Sequence, residues 1–442
     1  MMKQNNRFQN KINSIPDHVF LGVILVVCLF YRLFYFGILH PGMVLYNSDS
    51  VSYFATVDLF RGIVDLYRTP LYPYVLKFFE YISKDHLVQN LILFQQIISF
   101  LSIIPFYFVS KNIIKNKYLI IIATIFYGCW HPILIQNVYL NPESLCFAGS
   151  TLMLFILVKY LEKPKKYIAV SMGLFPFVLV MLKPTYLILL CVVLVFIIFR
   201  FVLFREERKI LYWGLFGFFI SVAGVFGYCE MNNRHNGQFA LSNIYVINSL
   251  AHISASGAYR QGGDEEFIAI IDATRHKGYY TAPFILNNYS LDNYLKYYKK
   301  FPQYLPPTDD ILFCLSIPNT VHYSPARVSQ FLKKSQCTMI YFRYMMNRAV
   351  DIISAYGNLF ILFVLQSVII IVAFVKYKKI AWAQSFCILF VLGQFFSILI
   401  GGLDDIDRCL IPAYPFIIQI AASFLAVLTA LLKKEKIAEL ML

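Results

Sequence analysis

Asp49, Arg68, Glu143, Lys183 and Arg408 all stand at the ends of long apolar runs. Asp49 lies in Asn47-Ser48-Asp49-Ser50, just past the first run, and Arg68 opens Arg68-Thr69-Pro70-Leu71-Tyr72-Pro73. Glu143 follows Asn141-Pro142, Lys183 precedes Pro184-Thr185, and Arg408 follows Asp404, Asp405 and Asp407 ahead of the last run. A charge at mid-span costs roughly 2.5–3.5 kcal/mol on insertion scales, so ionisable groups near hydrocarbon tend to pair or serve a site. One carboxylate met by three cations from separate segments suits group transfer from a lipid-linked phosphate. Asp49 would take the acceptor proton, and Arg68, Lys183 and Arg408 would hold the departing phosphate's charge. Glu143, Tyr53, Tyr72, Asp404 and Asp405 complete the set as residues that position acceptor or donor.

Each of these residues also has a plainer reading. Asp49 could end a helix in a solvated loop, and Glu143 is an ordinary first-turn acid favoured by the helix dipole. Lys183 could extend its ammonium to the interface, and Arg408 could pair with Asp404 or Asp405 in a turn. Arg32, inside the first run, reads as a snorkelling or structural partner, and Gln95 and Gln96 as interhelical hydrogen-bonding residues. His131, His235 and His252 show no ligand spacing and read as structural. A glycine-rich phosphate loop, a G-x-S-x-G elbow and an HExxH motif are all missing.

Composition says what must carry these residues. The chain has 442 residues, 59% of them apolar and 14% charged, with a mean hydropathy of +0.62. Soluble domains hold about 45–50% apolar residues, so a water-soluble globule is excluded and a polytopic all-α membrane protein is expected. The net charge of +15 could suggest nucleic acid, but the basic residues sit in short clusters between apolar runs, so no nucleic-acid partner is expected. The nine cysteines show no CxxC or zinc-type spacing. The first apolar stretch, about 17–39, is too long for a signal-peptide core.

Ten stretches approach the ~20 residues that a spanning helix needs, centred near Val27, Ser99, Thr124, Met153, Leu174, Val193, Ile220, Phe363, Phe390 and Ser423. With the N-terminus inside, Lys3, Arg7 and Lys11 share a side with Lys111, Lys115 and Lys117. Lys159 to Lys166, Arg200 to Lys209, Lys376 to Lys379 and Lys433 to Lys436 fall there too. The alternation never fails, so both termini are expected in the cytoplasm and the five ionisable residues outside. The chain then divides into a seven-span module at 1–229 with its first outer loop at 40–86, an extracytoplasmic region at 230–351, and three spans at 352–442.

The first outer loop reads as two amphipathic surface helices. Tyr53, Val57, Phe60 and Val64 share one face of the first, and Tyr74, Val75, Phe78, Phe79 and Ile82 form the apolar face of the second. In the 230–351 region Asp264 is expected to cap a helix over 265–277 closed by Gly278, Ser290 caps another turn, and Ser324-Pro325 opens a helix towards the eighth span. Cys314 and Cys337 share this region, where a disulfide is an open question.

On these segments the chain resembles the C-type (GT-C) membrane glycosyltransferases, in particular the protein O-mannosyltransferase and aminoarabinose transferase branch. The likeness rests on Asn47 to Tyr53, on Gly62 followed by Arg68 to Pro73, on Gln95 and Gln96, and on Asn141 to Ser144. It continues through Leu182 to Thr185, Arg234 to Ser242 and Arg408 to Pro415. The resemblance implies a GT-C-like fold and an inverting transferase that uses a polyprenyl-phosphate sugar donor, with a lipid, glycan or protein acceptor. It implies residence in the bacterial inner membrane, with Asp49 in the base position and Arg68, Lys183 and Arg408 near the carrier phosphate. Many relatives carry a second acid beside the base, where this chain has Ser50. No metal or other cofactor is therefore expected to be required, although Glu143 could orient the acceptor or a divalent cation.

Two rival functions remain. A polysaccharide polymerase or ligase would concentrate its essential residues in the large loop, but Arg260, Arg275, Arg327 and Arg343 are scattered. A lipid or sugar transporter would need mid-membrane polar groups and paired broken helices, and no internal repeat is found.

Overall fold

The computed structural model describes residues 16–46, 49–50, 53, 68–83, 85–242, 244–262, 265, 268–269, 272, 333–377, 380–401 and 406–432. Among these the secondary structure is helical, with one isolated bridge between Leu45 and Tyr139. Among the described residues nine helices are long and apolar enough to cross a membrane: Asp17–Leu39, Leu87–Ile113, Lys117–Gln136, Glu143–Glu162, Pro184–Leu203, Arg205–His235, Gly357–Lys376, Trp382–Gly401 and Ile406–Leu432. The shorter Lys166–Leu182 supplies the fifth of ten spans, and each of the ten contains one of the expected centres. Its 17 residues reach only about 25 Å at 1.5 Å per residue, less than a typical ~30 Å hydrocarbon layer. Lys183 follows directly, so this span stops short and leaves a charged turn at its end.

Several spans are broken where the sequence withdraws a hydrogen bond. The second span is two helices, Leu87–Leu101 and Ile103–Ile113, joined at Ser102 ahead of Pro105. The third turns at Trp130 ahead of Pro132. The tenth starts as Ile406–Leu410, tightens to a 3-10 turn at Pro412 and resumes as Tyr414–Leu432. Proline lacks the N–H that its helix position would donate, so each break falls within a few residues of one.

The fifth and seventh spans pack closely through glycines. A β-carbon on Gly173 would collide with the Gly214 carbonyl and stand 2.5 Å from the Phe218 amide nitrogen, and one on Gly217 would collide with the Val170 carbonyl. Ser221 Oγ donates to the Gly173 carbonyl at 2.7 Å across the same seam. Such small-residue contacts are how helices associate where lipid offers no hydrophobic drive. Gly173→Val is therefore expected to part the two helices at a cost of about 1–3 kcal/mol or more. A lowered melting midpoint in detergent would report it, and an unchanged one would refute the seam.

At the end of the bundle where the first span begins, Arg200 pairs with Glu207, which also accepts from Tyr160 Oη at 2.9 Å. The Arg200 guanidinium lies 4.0 Å from the Phe204 ring centroid and 5.1 Å from that of Trp382, so spans four, six and nine meet on one buried cation.

The second surface helix exists, at Leu71–Ile82, and packs one side against the bundle. Tyr72 and Leu76 pack inward with Val75 and Phe79 partly covered, whereas Tyr74, Phe78 and Ile82 point outward. The outward residues suit a helix lying against lipid, because an apolar side chain there need not be covered by protein. The first surface helix, over 53–64, lies outside the described residues apart from Tyr53. So do the expected cap at Asp264, the elements at Ser290 and Ser324-Pro325, and Cys314, while Glu265, Ile268, Ala269 and Asp272 of the expected 265–277 helix are helical; Cys337 Sγ donates to the Ala258 carbonyl at 3.4 Å. The seventh span's helix continues to Asn236, past the expected 229/230 boundary, and ends at Gly237, whose φ of +66° closes it in the left-handed region.

Candidate active site

The ionisable residues meet at one end of the bundle, and they do so through backbone stitching. After the first span, Leu45 N donates to the Val138 carbonyl at 2.9 Å and Leu140 N donates back to Leu45 at 3.0 Å. Ser50 Oγ donates to Asn141 Oδ1 at 3.0 Å, so the residues flanking Asp49 are tied to the strand of chain that opens the fourth span. Gln95 secures the other side. Its amide donates to the carbonyls of Asn137 and Tyr139 at 3.1 and 2.8 Å, and its Oε1 accepts from Tyr72 Oη at 2.8 Å. Tyr72 in turn carries Tyr53 edge-on at 5.0 Å, and the Arg68 guanidinium stacks over Tyr53 at 4.6 Å.

On this scaffold the charges form an alternating chain. Arg68 Nη2 donates to Asp49 Oδ1, and Arg408 Nη2 reaches Asp49 Oδ2 at 2.6 Å. Arg408 Nε lies 4.0 Å from Glu143 Oε1, and Lys183 Nζ donates to that same oxygen at 3.1 Å. Cation, anion, cation, anion and cation thus follow in order, contributed by the first loop, the segment before the surface helix, and spans four, five and ten. These five side chains sum to one net positive charge.

Each member is fixed locally. Glu143 opens the fourth span behind Pro142, where the helix dipole favours a carboxylate, and its side chain is 2% exposed. Its Oε2 makes no hydrogen bond among the described residues. Lys183 caps the fifth span in extended conformation and turns inward, where the interface-seeking reading would turn it outward. Tyr186, two residues past Pro184, locks that turn by donating to the Cys146 carbonyl at 2.7 Å and bonding Ser150 Oγ at 2.7 Å. Asp49 keeps 23% of its side chain exposed.

Burial alone would push the Asp49 carboxyl up. The guanidinium groups of Arg68 and Arg408 outweigh it and hold the carboxyl well below the usual carboxylate range. Burial likewise works against the Lys183 ammonium, and the Glu143 carboxylate reverses that and holds it above the usual lysine value.

An apolar cavity of about 640 Å³ opens beside this chain. Its lining includes Pro184 and Thr185, directly after Lys183, and Cys409, directly after Arg408. The walls are side chains of spans six, seven and nine, such as Ile188, Phe226 and Phe396. An apolar chain lying there would bring its polar end to the cations.

The remaining sequence candidates fall elsewhere. Asp404 and Asp405 lie outside the described residues; Asp407 accepts from Tyr356 Oη. Arg32 is buried and bound, with Nε donating to the Gly128 carbonyl at 3.0 Å and both terminal nitrogens to Ser99 Oγ at 3.3 Å. His131 stacks edge-on with Tyr35, and His252 lies near the Tyr344 ring. No group of three His, Cys, Asp or Glu side chains that could hold a metal occurs among the described residues. The Ser50–Asn141 pair is not legible in the sequence. Their only signal is that each flanks an acid in a polar segment next to a span.

No protein-family model matches this chain, and no curated protein matches it. Solved structures do. The crystal structure of the Archaeoglobus fulgidus oligosaccharyltransferase in complex with Zn and sulfate matches at 13% identity and a TM-score of 0.50, over 93% of this chain and 49% of that one. Its apo form matches at 13% identity and 0.50, over 94% and 51%. The complex of the Archaeoglobus fulgidus oligosaccharyltransferase AglB with an inhibitory peptide and a dolichol-phosphate gives 14% identity and 0.47, over 93% and 50%. The chain spans about half the length of these proteins. At this identity the first two matches establish the fold alone: the chain shares the helical membrane bundle of the archaeal oligosaccharyltransferase.

Proposed function

We propose that the protein is a membrane glycosyltransferase that moves one sugar from a polyprenyl-phosphate carrier to an acceptor on the extracytoplasmic side. The observation that carries this reading is the alternating ion chain at the mouth of an apolar cavity. A carrier would lay its isoprenoid tail against spans six, seven and nine and its phosphate among Arg68, Arg408 and Lys183. Asp49 accepts the proton of the acceptor nucleophile, that atom bonds the anomeric carbon from the face opposite the carrier, and the anomeric carbon–oxygen bond breaks. The electron pair leaves on the phosphate, whose growing charge the three cations hold.

Asp49 and the phosphate would compete for the same arginines. A carboxylate clasped by two guanidiniums is a weak base, so the donor's phosphate, by drawing Arg68 and Arg408 towards itself, would restore basicity when it arrives. Glu143, which holds Lys183 and faces Arg408, would orient this cradle, and Tyr53 would hold Arg68. Alternating basic connections support a cytoplasmic location for both termini and an outer-leaflet site. The finer likeness to O-mannosyl and aminoarabinose transferases supports a single-sugar monophosphate donor in a bacterial inner membrane.

The test is to incubate purified protein with a panel of polyprenyl-phosphate sugars and an acceptor extract, following loss of each donor. One monophosphate donor is expected to be consumed, with free polyprenyl phosphate released. Consumption of diphosphate-linked oligosaccharides alone would replace this reading with a polymerase or ligase.

A further inference from the structure

The helix ahead of the eighth span, Ser335–Ala355, has two opposite faces. On one of them Cys337, Tyr344 and Ile352 meet protein. Cys337 Sγ donates to the Ala258 carbonyl at 3.4 Å, the Tyr344 ring lies 5.8 Å from that of His252, and Ile352 is buried in the core. On the other, Met339, Phe342, Met346, Val350 and Ile353 are each at least half exposed. At 3.6 residues per turn the two rows stand about 180° apart. The exposed row does not stop where the helix does. Tyr356 interrupts the helix for one residue, and Gly357–Tyr377 takes up the same spacing with Ile361, Val364, Val368, Ile371 and Val375, again each at least half exposed. This second stretch is the eighth span, whose outward side chains face lipid.

We propose that the Ser335–Ala355 helix docks on the membrane surface, with its exposed row sunk into the acyl boundary of the leaflet at the Asp49 end. Tyr356 sets the end, since its hydroxyl donates to Asp407 beside Arg408. Lipid is the partner because the row runs on, at unbroken spacing, into a surface that lipid already covers. Depth follows from length and polarity. The 21 residues of Gly357–Tyr377 suffice for the ~20 that cross a bilayer, so the preceding helix falls outside the hydrocarbon core. Arg343, Asn347 and Asp351 recur along one edge of the row and are exposed. Such groups are costly in hydrocarbon, whereas the row beside them is costly in water, and a helix carrying both rests at the boundary. The docked helix would brace the catalytic end. Its Tyr344 packs near His252 of the Ile244–Ser256 helix, whose Asn248 donates to the carbonyl of Gly401 in the wall of the large apolar cavity.

The experiment places photoreactive p-benzoylphenylalanine at one position of the full chain at a time, in liposomes of phosphatidylethanolamine and phosphatidylglycerol. After irradiation, intact-mass spectrometry reads the gain of one phospholipid, and gel electrophoresis reads joined chains. Phe342 and Met346 are expected to take lipid about as well as Val368 on the eighth span, and several-fold better than Asn347 on the polar edge. Lipid capture at both no higher than at Asn347 overturns the proposal. So does capture chiefly of a second copy, seen as a dimer, or of the same chain, seen by peptide mapping. The unmodified protein gives a reading that needs no substitution. Hydroxyl radicals from water radiolysis should oxidise Met339 and Met346 in liposomes at a rate near that of the buried Met153, although both are exposed in the fold. Oxidation of both several-fold faster than Met153 places the row in water and overturns the proposal.

Discussion

Asp49→Asn is expected to lower the turnover of sugar transfer by about 10²- to 10⁴-fold, the usual contribution of a positioned general base. The amide keeps the shape of the carboxylate but cannot take a proton at neutral pH. Donor binding should hold or tighten, because Arg68 and Arg408 no longer share their charge with a carboxylate and both become available to the phosphate. This separates a base from a mere spacer: if Asp49 only held the two arginines apart, donor affinity would fall with turnover. Measuring kcat and donor Kd on the same preparation, together with the melting midpoint, decides it. Full turnover in the variant refutes the base assignment.

The pH dependence follows from the same clasp. Activity that needs ionised Asp49 is present above its pKa and lost as pH falls through it. In the resting protein the arginines hold that pKa well below the usual carboxylate range. Once the donor phosphate shares them, the pKa rises. The acid limb of kcat, which reports the donor-bound protein, should therefore lie at higher pH than the acid limb of kcat/KM for the donor, which reports the free protein. Coincident limbs would mean that phosphate and carboxylate do not compete.

Arg408→Gln is the second large effect. Among the described residues this side chain alone bridges the two carboxylates, at 2.6 Å from Asp49 and 4.0 Å from Glu143. Its loss removes a cation from the leaving phosphate, worth on the order of 10²- to 10³-fold in kcat by analogy with a lost oxyanion donor. It also leaves Glu143 with Lys183 as its remaining cation partner in the chain, and breaking a buried pair costs about 3–5 kcal/mol. Arg408→Lys keeps the charge but not the planar fork that reaches both acids, so it should restore stability more than rate. Single-turnover kinetics with a saturating donor, set beside a thermal melt of each variant, test both parts. Wild-type turnover in Arg408→Gln would remove this residue from the phosphate site.

Much of this architecture is legible along the chain. Hydropathy is additive over ~20 residues, so ten apolar runs mark ten spans whatever their neighbours do, and the parity of crossings then puts Asp49, Arg68, Glu143, Lys183 and Arg408 at one end. The surface helix at Leu71–Ile82 is equally local, because Pro70 and Pro73 mark its start. Its inward face was not legible: Tyr74, Phe78 and Ile82 are as apolar as the residues that pack, and lipid accepts them as readily as protein does.

What linear order cannot express is which charge meets which. Asp404 stands four residues from Arg408 in the chain, whereas Asp49, which Arg408 reaches, stands more than 350 positions away. That choice depends on how spans four, five and ten lean together, which in turn rests on broken helices at Ser102, Trp130 and Pro412 and on close contacts such as Gly173 against Gly214. The Leu45–Tyr139 bridge, the Gln95 anchor and the cavity between spans six, seven and nine arise the same way. Sequence alone specified the helices and that their charged ends gather at one end of the bundle. Packing at short range, where a methyl group decides whether two backbones touch, selected the partners.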